Sequence, residues 1–329
     1  MRNAGLFRDV TDARRVESLA REHPHRRIEE LLPPVGHGAR SIIRPQMPAL
    51  DGTTVVDFTS RLPGPYATRE LLRRGARVIK IEPPEGDSTP PEWYRALNEG
   101  KEVLTWDART APPPAVVAEA DVVLEGFRPG VFERLGVTLA DTAILCSITG
   151  FGVRGPRAGD AGHDLNYLGY AGVLHDTAPA VPPVQIADLA GGAQTAVIEI
   201  LAALFARART GRGARIVVSM THQAHALASH RLAGDPLPRL LTGGAACYRV
   251  YETADRRHLT VAALEPRFWR NLCELLGLPG LADRAFEPEL PELAALFRTR
   301  TLDEWRTALE GKDTCVGPVL TLAEAAAEL

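Results

Sequence analysis

Cysteine is scarce in this chain: four of the 329 residues are cysteines, and no two of them form a C-x-x-C pair. A zinc ribbon or a dithiol redox motif needs such pairs, so neither is expected. Scattered thiols of this kind are typical of buried cysteines in a reducing compartment. The amino-terminal stretch also lacks the apolar core of a secretory signal peptide, so the sequence predicts a cytoplasmic protein.

Aromatic residues are few, and basic residues are not in excess. Aromatic side chains make up 6% of the chain, and the formal net charge is −3. A nucleic-acid surface depends on positive charge and often on aromatic platforms, so no nucleic-acid partner is expected. The longest apolar run, around 196–205, contains Glu199 and is shorter than a bilayer requires, so no membrane partner is expected either.

Several signatures of cofactor and nucleophile chemistry are missing. No G-x-G-x-x-G follows the first predicted strand, and no Walker loop, H-E-x-x-H or G-x-S-x-G occurs. Nicotinamide, nucleoside-triphosphate, zinc-protease and serine-hydrolase chemistry therefore lack their usual support. His222 and His225 have no neighbouring carboxylate, which favours the polar face of a helix over a metal site. We expect no metal and no resident cofactor.

The chain does contain an alternation of short apolar strands and helices. Strands are predicted at 54–58, 77–81, 102–106, 121–124, 143–148 and 215–219, with helices at 66–74 and 192–209. Strand–helix–strand order implies parallel pairing and a right-handed crossover, so the predicted fold class is α/β with a mostly parallel sheet. Ligands of such sheets bind at the carboxyl ends of the strands. The loops expected there are 61–65, 83–87, 127–130 and 149–163.

Three regions are predicted along the chain. Residues 1–48 are Arg-rich, contain one predicted helix at 11–22 and have too few apolar residues for a core, so they form an extension. Residues 49–225 form the large domain, and residues 226–329 form a smaller α+β domain. The smaller domain has a predicted hairpin around 254–255, helices at 266–276 and 301–309, and capping boxes at Thr301 with Glu304 and Thr321 with Glu324.

Two side chains are notable between Thr149 and Gly192. His163, in GHDLNY, enters one predicted helix, and Asp188, in ADLAGG, enters another. An imidazole and a carboxylate that face one pocket form an acid/base pair. Taken alone, each fits a helix N-cap better than a catalytic residue, and Glu265, which precedes a proline, fits a helix start.

The order of the motifs resembles one known family. These motifs include LDGTTVVDFTSRLPGPYATRELLRRGARVIKIEPPEGD, LNEGKEVL, ADVVLEGFRPGVFERLGV, ITGFGVRGP, AGHDLNY, ADLAGG, VAALEPRFW and DTCVGPVL. They occur in the order found in the family III CoA-transferases, which include the α-methylacyl-CoA racemases, and they cover about 50–329. The resemblance implies a Rossmann-like large domain, a small domain, and two chains interlocked as a homodimer. It also implies that coenzyme A is part of an acyl thioester substrate.

The resemblance assigns roles to the three candidate acid/base residues. In the racemases an aspartate works with a histidine and a glutamate, and these match Asp188, His163 and Glu265. All three positions carry the expected residue, which favours a racemase or epimerase acting on a 2-methyl-branched acyl-CoA. Such an enzyme exchanges the α-proton through an enolate, with a base on each face of the carbon. The backbone N–H groups at Asp164 would stabilise the enolate oxygen.

The resemblance also implies contacts with coenzyme A. Arg128, in FRPG, matches the family arginine beside the adenine and the phosphates. Lys80 and Lys101 occupy positions where the family often keeps basic groups near the phosphates, with a solvated strand end as the alternative for both.

Other functions stay open at this point. A family III CoA-transferase would use Asp188 as a nucleophile that forms a mixed anhydride. A non-catalytic descendant would bind CoA or a partner without turnover. Departures from the family pattern, such as Glu99 in NEGK and Val217 and His222 in place of common aspartates, point to an unusual acyl group or another enolate-based step. A carrier-protein thioester in place of CoA is also open.

Overall fold

Six parallel strands form the main sheet of the computed structural model, which describes residues 48–234 and 239–328. The strands are β1 (Thr54–Asp57), β2 (Arg77–Glu82), β3 (Glu102–Thr105), β4 (Val122–Glu125), β5 (Ile144–Thr149) and β6 (Ala214–Ser219). Their order in the sheet is β3-β2-β1-β4-β5-β6, and each neighbouring pair is parallel. The predicted α/β class is confirmed. The helix predicted at 11–22 lies outside the described residues.

Helices connect these strands. They are α1 (Pro63–Leu72), α2 (Pro91–Asn98), α3 (Ala115–Ala118), α4 (Val131–Arg134), α5 (Asp164–Tyr170), a π-helix (Ala187–Gln194), α6 (Thr195–Thr210) and α7 (Met220–Ala228). The first begins three residues earlier than predicted, because prolines suit a first helical turn, where no N–H is needed. The predicted helix 192–209 continues the π-helix and ends at Gly211, which has a φ of 70°.

Apolar side chains cover both faces of the parallel sheet. On one face Val55 and Leu124 pack in a cluster with Ile200 of α6. On the other face Val56 packs in a cluster with Phe132 of α4. Successive side chains of a strand point to opposite faces, so both sets come from the same short strands. Burial on both sides explains why the strands are nearly continuous apolar runs in the sequence.

The π-helix and α6 form one continuous helix of 24 residues, Ala187–Thr210, which contains an 18-residue window with a mean hydropathy of 1.6. By length and composition it is long and apolar enough to cross a membrane, which the shorter run 196–205 is not. Ala196, Val197 and Ile200 of this helix are buried in the sheet core. This side of the helix therefore packs against the parallel sheet, while Ile198 and Phe205 are exposed.

A three-stranded antiparallel sheet follows in the second part of the chain. Its strands are β7 (Tyr248–Glu252), β8 (His258–Ala262) and β9 (Val316–Pro318), in the order β7-β8-β9. The associated helices are α8 (Pro266–Leu275), α9 (Pro291–Phe297) and α10 (Leu302–Leu309), with 3-10 turns at Ser229–Ala233, Leu240–Thr242 and Pro279–Leu281. Trp269, Phe297 and Trp305 are buried in its core. The predicted hairpin and the capping box of Thr301 with Glu304 are confirmed.

The sequence predicted the capping box of the last helix but not strand β9. Strand β9 was not predicted, because Gly317 and Pro318 are poor strand formers. The last helix, α11 (Leu322–Glu328), lies outside the compact unit that ends at Val319. Its predicted capping box is confirmed: the Thr321 N–H donates to the Glu324 carboxylate at 2.7 Å, and the Glu324 N–H donates back at 3.2 Å. The domain boundaries at 48 and 225 stay predictions.

Charged side chains are buried where β1 ends. Asp57 is fully buried, lies 3.2 Å from the ammonium group of Lys101, and accepts a hydrogen bond of 2.6 Å from the Thr68 hydroxyl. Burial alone would raise the pKa of Asp57, but the ammonium groups of Lys101 and Lys80, together with the hydroxyl groups that donate to the carboxylate, hold the pKa below its ordinary value. Lys101 also donates to the Pro65 carbonyl at 3.0 Å, so this network holds the start of α1 against the sheet.

Replacing Lys101 by Met should leave the Asp57 carboxylate buried without its main counterion. We expect the free energy of unfolding to fall by about 3–5 kcal/mol, the usual cost of breaking a buried pair from one side. Urea unfolding measures this loss. The matched control is Arg77→Met, which breaks the exposed pair with Glu102 and should cost clearly less because water screens that pair. Equal losses from the two variants would contradict the role given to the buried pair.

Candidate active site

A cavity of about 840 Å³ opens at the carboxyl edge of the parallel sheet. The loops after β1, β2, β4 and β5 line it, together with the starts of the π-helix and α7. Strands β1 and β4 are neighbours, and the chain winds away from them in opposite directions, so the cavity lies at a topological switch point. Doubly wound α/β folds bind their ligands in the crevice at such a point. Three of the four loops expected at this edge contribute lining residues, and the fourth contributes 88–90, just beyond its predicted range.

The start of α5 places His163 at this cavity. His163 has an extended backbone, and its N–H donates to the side chain of Asn166 at 3.1 Å, which makes His163 the N-cap residue. Gly162 precedes it because the Tyr167 ring lies 2.7 Å from the position that a Cβ would occupy. The Tyr167 hydroxyl donates to the Gly162 carbonyl at 2.5 Å. Gly162, Asn166 and Tyr167 therefore fix the backbone position from which the His163 imidazole projects.

The π-helix brings Asp188 to the same cavity. Wide π turns are frequent at functional sites. Gly191 in this turn lies against α7, and a Cβ there would stand 3.0 Å from the Met220 carbonyl oxygen, so glycine favours this close approach. The N–H of Asp188 donates to the Asp164 carboxylate at 2.9 Å. Because Asp164 directly follows His163, this bond ties the two helix starts together, and both candidate acid/base residues line one cavity.

The electrostatic environment of Asp188 is unusual for a carboxyl group. Burial raises the pKa of Asp188 to about 7, and the carboxylate of Asp164 contributes in the same direction. Burial also raises the pKa of Asp164 above its ordinary value. A carboxyl group that titrates near neutral pH can both accept and donate a proton under physiological conditions. Perturbed carboxyl groups in a cavity are typical of functional sites.

Glu265 does not join this pair within one chain. It is the residue before α8, where its carbonyl accepts hydrogen bonds from the N–H groups of Phe268 and Trp269 at 3.0 and 3.3 Å. Among the described residues, none after Met220 lines the cavity. Burial and then the Glu265 carboxylate raise the pKa of the Cys315 thiol, so Glu265 lies near Cys315 instead.

The three basic residues suggested for coenzyme A have different surroundings. Arg128 lines the cavity and donates to the Gly159 carbonyl at 3.3 Å. Lys80 and Lys101 are only 1% and 9% exposed, so neither is a solvated strand end. Lys80 lies 2.9 Å from the Asp87 carboxylate, and Lys101 pairs with the buried carboxylate at the end of β1. Internal carboxylates neutralise both ammonium groups, and this burial argues against the predicted contacts with the phosphates.

Two residues of the cavity were not singled out from the sequence. Arg61 lies in a loop expected at the ligand edge and lines the cavity, but nothing in SRLPGP singles it out. Trp93 lines the cavity from α2 and is 55% exposed. The signal for Trp93 is a large apolar side chain in a short helix, which becomes informative only once that side chain is known to be exposed.

The two histidines of α7 have hydrogen-bond partners. The ring of His222 lies 2.7 Å from the Ser219 hydroxyl, and the ring of His225 lies 3.0 Å from the Ala171 carbonyl. In the described part of the chain, no three histidine, cysteine, aspartate or glutamate side chains are grouped so that they could hold a metal ion.

Replacing Asp188 by Asn should change the pH dependence of stability. The pKa of Asp188 is higher in the folded chain than in the unfolded chain, so folding takes up a proton between about pH 4 and pH 7, and stability falls as the pH rises through this range. We expect Asp188→Asn to raise the free energy of unfolding at pH 8 by about 1–3 kcal/mol, after allowance for partial solvent screening, and to change it little at pH 4. Urea unfolding at the two pH values tests this. Asp141→Asn, at an exposed position, is the control, and a loss of stability for Asp188→Asn at pH 8 would refute the account.

Comparison with known proteins identifies relatives of both sequence and fold. The family model for CoA-transferase family III matches residues 50–328. Human alpha-methylacyl-CoA racemase is 34% identical over 305 residues, which cover 84% of this chain and 79% of the relative. Acetyl-CoA:oxalate CoA-transferase from Acetobacter aceti is 32% identical over 320 residues, which cover 84% of this chain and 82% of the relative.

Solved structures agree with this assignment. A CAIB/BAIF family protein from Brucella suis has a TM-score of 0.71 and 30% identity, covering 86% of this chain and 86% of that chain. Racemase and transferase relatives have nearly the same identity, so identity alone does not select the reaction. The family match and the relatives together show that this chain belongs to CoA-transferase family III.

Proposed function

We propose that the protein is a racemase or epimerase that acts at the α-carbon of a 2-methyl-branched acyl-CoA or a related thioester. The observation that carries this proposal is that His163 and Asp188 line one cavity, where burial raises the pKa of Asp188 to about 7. Inversion beside a thioester needs a base on one face of the carbon and an acid on the other, and the two exchange roles in the reverse direction. A carboxyl group that titrates near neutral pH suits both roles.

The proton balance of this reaction is simple. Asp188, as the carboxylate, takes the α-proton, and the electron pair of the broken C–H bond moves into the carbonyl group to form an enolate. Protonated His163 then delivers its proton to the opposite face, and a new C–H bond forms from the enolate. The enzyme ends with Asp188 protonated and His163 neutral, which is the starting state for the reverse direction. Imidazole is a common general acid and base at physiological pH.

The enolate oxygen needs hydrogen-bond donors while it carries charge. Helix α5 begins at Asp164, directly after His163. The N–H groups in the first turn of a helix have no partner within that helix. Placed beside the cavity, these groups would donate to the enolate oxygen and lower the barrier to its formation.

The coenzyme A half of the substrate would lie along the same crevice. Arg128 is the basic residue predicted for it that also lines the cavity. A guanidinium group donates two parallel hydrogen bonds to a phosphate, which favours this role. The buried Lys80 and Lys101 would instead support the cavity wall.

A homodimer would complete the site. Within one chain Glu265 lies outside the cavity, whereas the resemblance to racemases pairs it with His163. We infer that Glu265 of the partner subunit orients His163. Helix α6 supports an interface between copies because Ile198 and Phe205 are 64% and 68% exposed on its outer side. Exposed apolar surface of this kind is typical of contact regions.

Mixed dimers test whether the site is shared between chains. His163→Ala and Glu265→Ala homodimers should each be inactive or nearly so. When the two variants are produced together, one of the two sites in each mixed dimer has both residues intact. With random pairing about half of the dimers are mixed, so about a quarter of the normal activity should return. No recovery in dimers shown to be mixed would mean that the site lies within one chain.

Exchange of the α-proton tests the proposed reaction. A 2-methyl-branched acyl-CoA incubated with the enzyme in deuterated water should gain one deuterium at the α-carbon, measured by mass spectrometry. His163→Ala and Asp188→Asn should each lower the exchange rate at least about a hundredfold, the usual effect of losing a general acid or base. Asp160→Asn, another acid that lines the cavity, is the control and should change the rate only a few-fold. An absence of exchange with every branched acyl-CoA would refute the proposal.

A CoA-transferase is the second candidate, favoured by the transferase relatives and by the cavity position of Asp188. Here the Asp188 carboxylate attacks the thioester carbonyl, the C–S bond breaks, and CoA leaves as the thiolate, so that a mixed anhydride remains. Turnover then requires an acceptor acid, and hydroxylamine traps the anhydride. Transfer without α-deuteration would select this reaction, and CoA binding without either reaction would indicate a non-catalytic descendant.

A further inference from the structure

Arg61 has a backbone conformation that is rare for its side chain. Its φ is 68°, in the left-handed region that costs free energy for a residue with a Cβ. Such conformations persist only where the surrounding structure holds them, and they concentrate at ligand sites. The other non-glycine residues with positive φ in the described ranges are Arg239, Arg256 and Cys315, and Arg61 is the member of this set that lines the cavity.

A closed ring of polar contacts holds Arg61 in this conformation. Its backbone N–H donates to the Thr89 hydroxyl oxygen at 3.0 Å, and the Thr89 hydroxyl donates to the Asp87 carboxylate at 2.6 Å. The other oxygen of Asp87 lies 2.9 Å from the Lys80 ammonium group. Lys80 in turn donates to the carbonyl of Thr59 at 2.7 Å, two residues before Arg61. The ring therefore begins and ends on the same loop.

This ring is buried, although the side chain of Arg61 is not. Lys80 is 1% exposed, the Asp87 side chain 2% and Thr89 7%. A buried ion pair loses its hydration, and apolar side chains of similar volume often give equal or greater stability. Stability alone therefore does not account for the pair. What the ring does provide is a single conformation for the loop from Thr59 to Arg61.

Arg61 adds a basic residue to a cavity that the acids Asp160, Asp164 and Asp188 also line. In the described part of the chain Arg61 forms no ion pair, and its hydrogen bond to Thr89 uses the backbone N–H. Arg128 lies on the loop after β4, and Arg61 lies on the loop after the neighbouring β1. Two guanidinium groups thus flank the crevice at the switch point, and the one from Arg61 is held by a dedicated buried ring.

We propose that Arg61 binds an oxyanion of the thioester substrate, and that Thr89, Asp87 and Lys80 are positioning residues that hold it at the cavity. This inference rests on the proposed function, since the ligand is taken to be an acyl-CoA. Guanidinium binds two oxygens of a phosphate or a carboxylate at once. The oxyanion is therefore either a phosphate of the coenzyme A half or a carboxylate at the far end of the acyl half.

Arg61→Gly tests the binding role without adding strain, because glycine adopts a φ of 68° at no steric cost. Calorimetry gives the Kd of isobutyryl-CoA and of succinyl-CoA, which differ in the acyl carboxylate. A phosphate contact predicts that both Kd values rise about tenfold to a hundredfold, the usual effect of losing a charged hydrogen bond. A carboxylate contact predicts such a rise for succinyl-CoA alone. A change of less than about twofold for both ligands would overturn the proposal.

Arg256→Gly is the matched control. Arg256 has a φ of 60°, is exposed, and lies in the turn between β7 and β8, away from the cavity. The same substitution there should leave both Kd values unchanged. A rise equal to that of Arg61→Gly would show that the effect does not come from the cavity and would also overturn the proposal.

Thr89→Val tests the positioning ring. Valine has nearly the shape of threonine but cannot accept the hydrogen bond from the Arg61 N–H. We therefore expect the Kd to rise for the same thioester or thioesters whose Kd rises in Arg61→Gly. The double variant should bind no more weakly than Arg61→Gly alone, because Thr89 acts only through Arg61. Thr89→Ser should restore most of the affinity. Additive effects in the double variant would rule out positioning through Arg61.

The unmodified chain separates the two possible failures. If it binds neither thioester, the proposed function is wrong and the role of Arg61 falls with it. If it binds both, and Arg61→Gly binds them equally well, only the role of Arg61 is wrong.

Discussion

The 2.9 Å hydrogen bond from the Asp188 N–H to the Asp164 carboxylate holds the two helix starts of the candidate site together. Asp164 directly follows His163, so this bond ties the imidazole on α5 to the carboxyl group on the π-helix. The same bond brings a second carboxylate close to Asp188, which adds to the effect of burial and raises its pKa to about 7. The hydrogen bond therefore brings the two candidate acid/base residues together, while burial is the main cause of the raised pKa of Asp188.

The residues beneath the cavity wall define the shape of its loops rather than add to the stability of the fold. Two buried ion pairs, Asp57 with Lys101 and Asp87 with Lys80, lie beneath the loops that follow β1 and β2. Apolar side chains could fill this space without the cost of removing charges from water. The ion pairs instead fix the loop backbones, including the left-handed residue Arg61. Both buried ion pairs thus lie next to loops that line the cavity.

Much of this architecture could be predicted from the sequence because it depends on local patterns. The six parallel strands are runs of apolar residues buried on both faces, and their predicted bounds agree with the structure to within about two residues at each end. Parallel strands place their carboxyl ends on one edge, so His163 and Asp188 could be expected near one crevice. The capping box of Thr301 with Glu304 was predictable because capping uses residues within one turn.

The features that the sequence did not predict depend on contacts between distant segments. The ammonium groups of Lys80 and Lys101 lie in the interior because their partners, Asp87 and Asp57, belong to other elements, and strand periodicity does not report such pairs. The conformation of Arg61 depends on Thr89, which is 28 residues away. The separation of Glu265 from the cavity is likewise set by tertiary packing, and no local pattern around Glu265 encodes it.

The most direct measurement follows each epimer of a 2-methyl-branched acyl-CoA separately in deuterated water, sampled well before equilibrium. Two bases on opposite faces deliver the new hydrogen to the face opposite the one that lost it. From either starting epimer, deuterium should therefore appear first in the opposite epimer. Deuterium that appears first in the starting epimer, or no deuterium in either, would contradict a reaction carried out by His163 and Asp188 from two sides of the α-carbon.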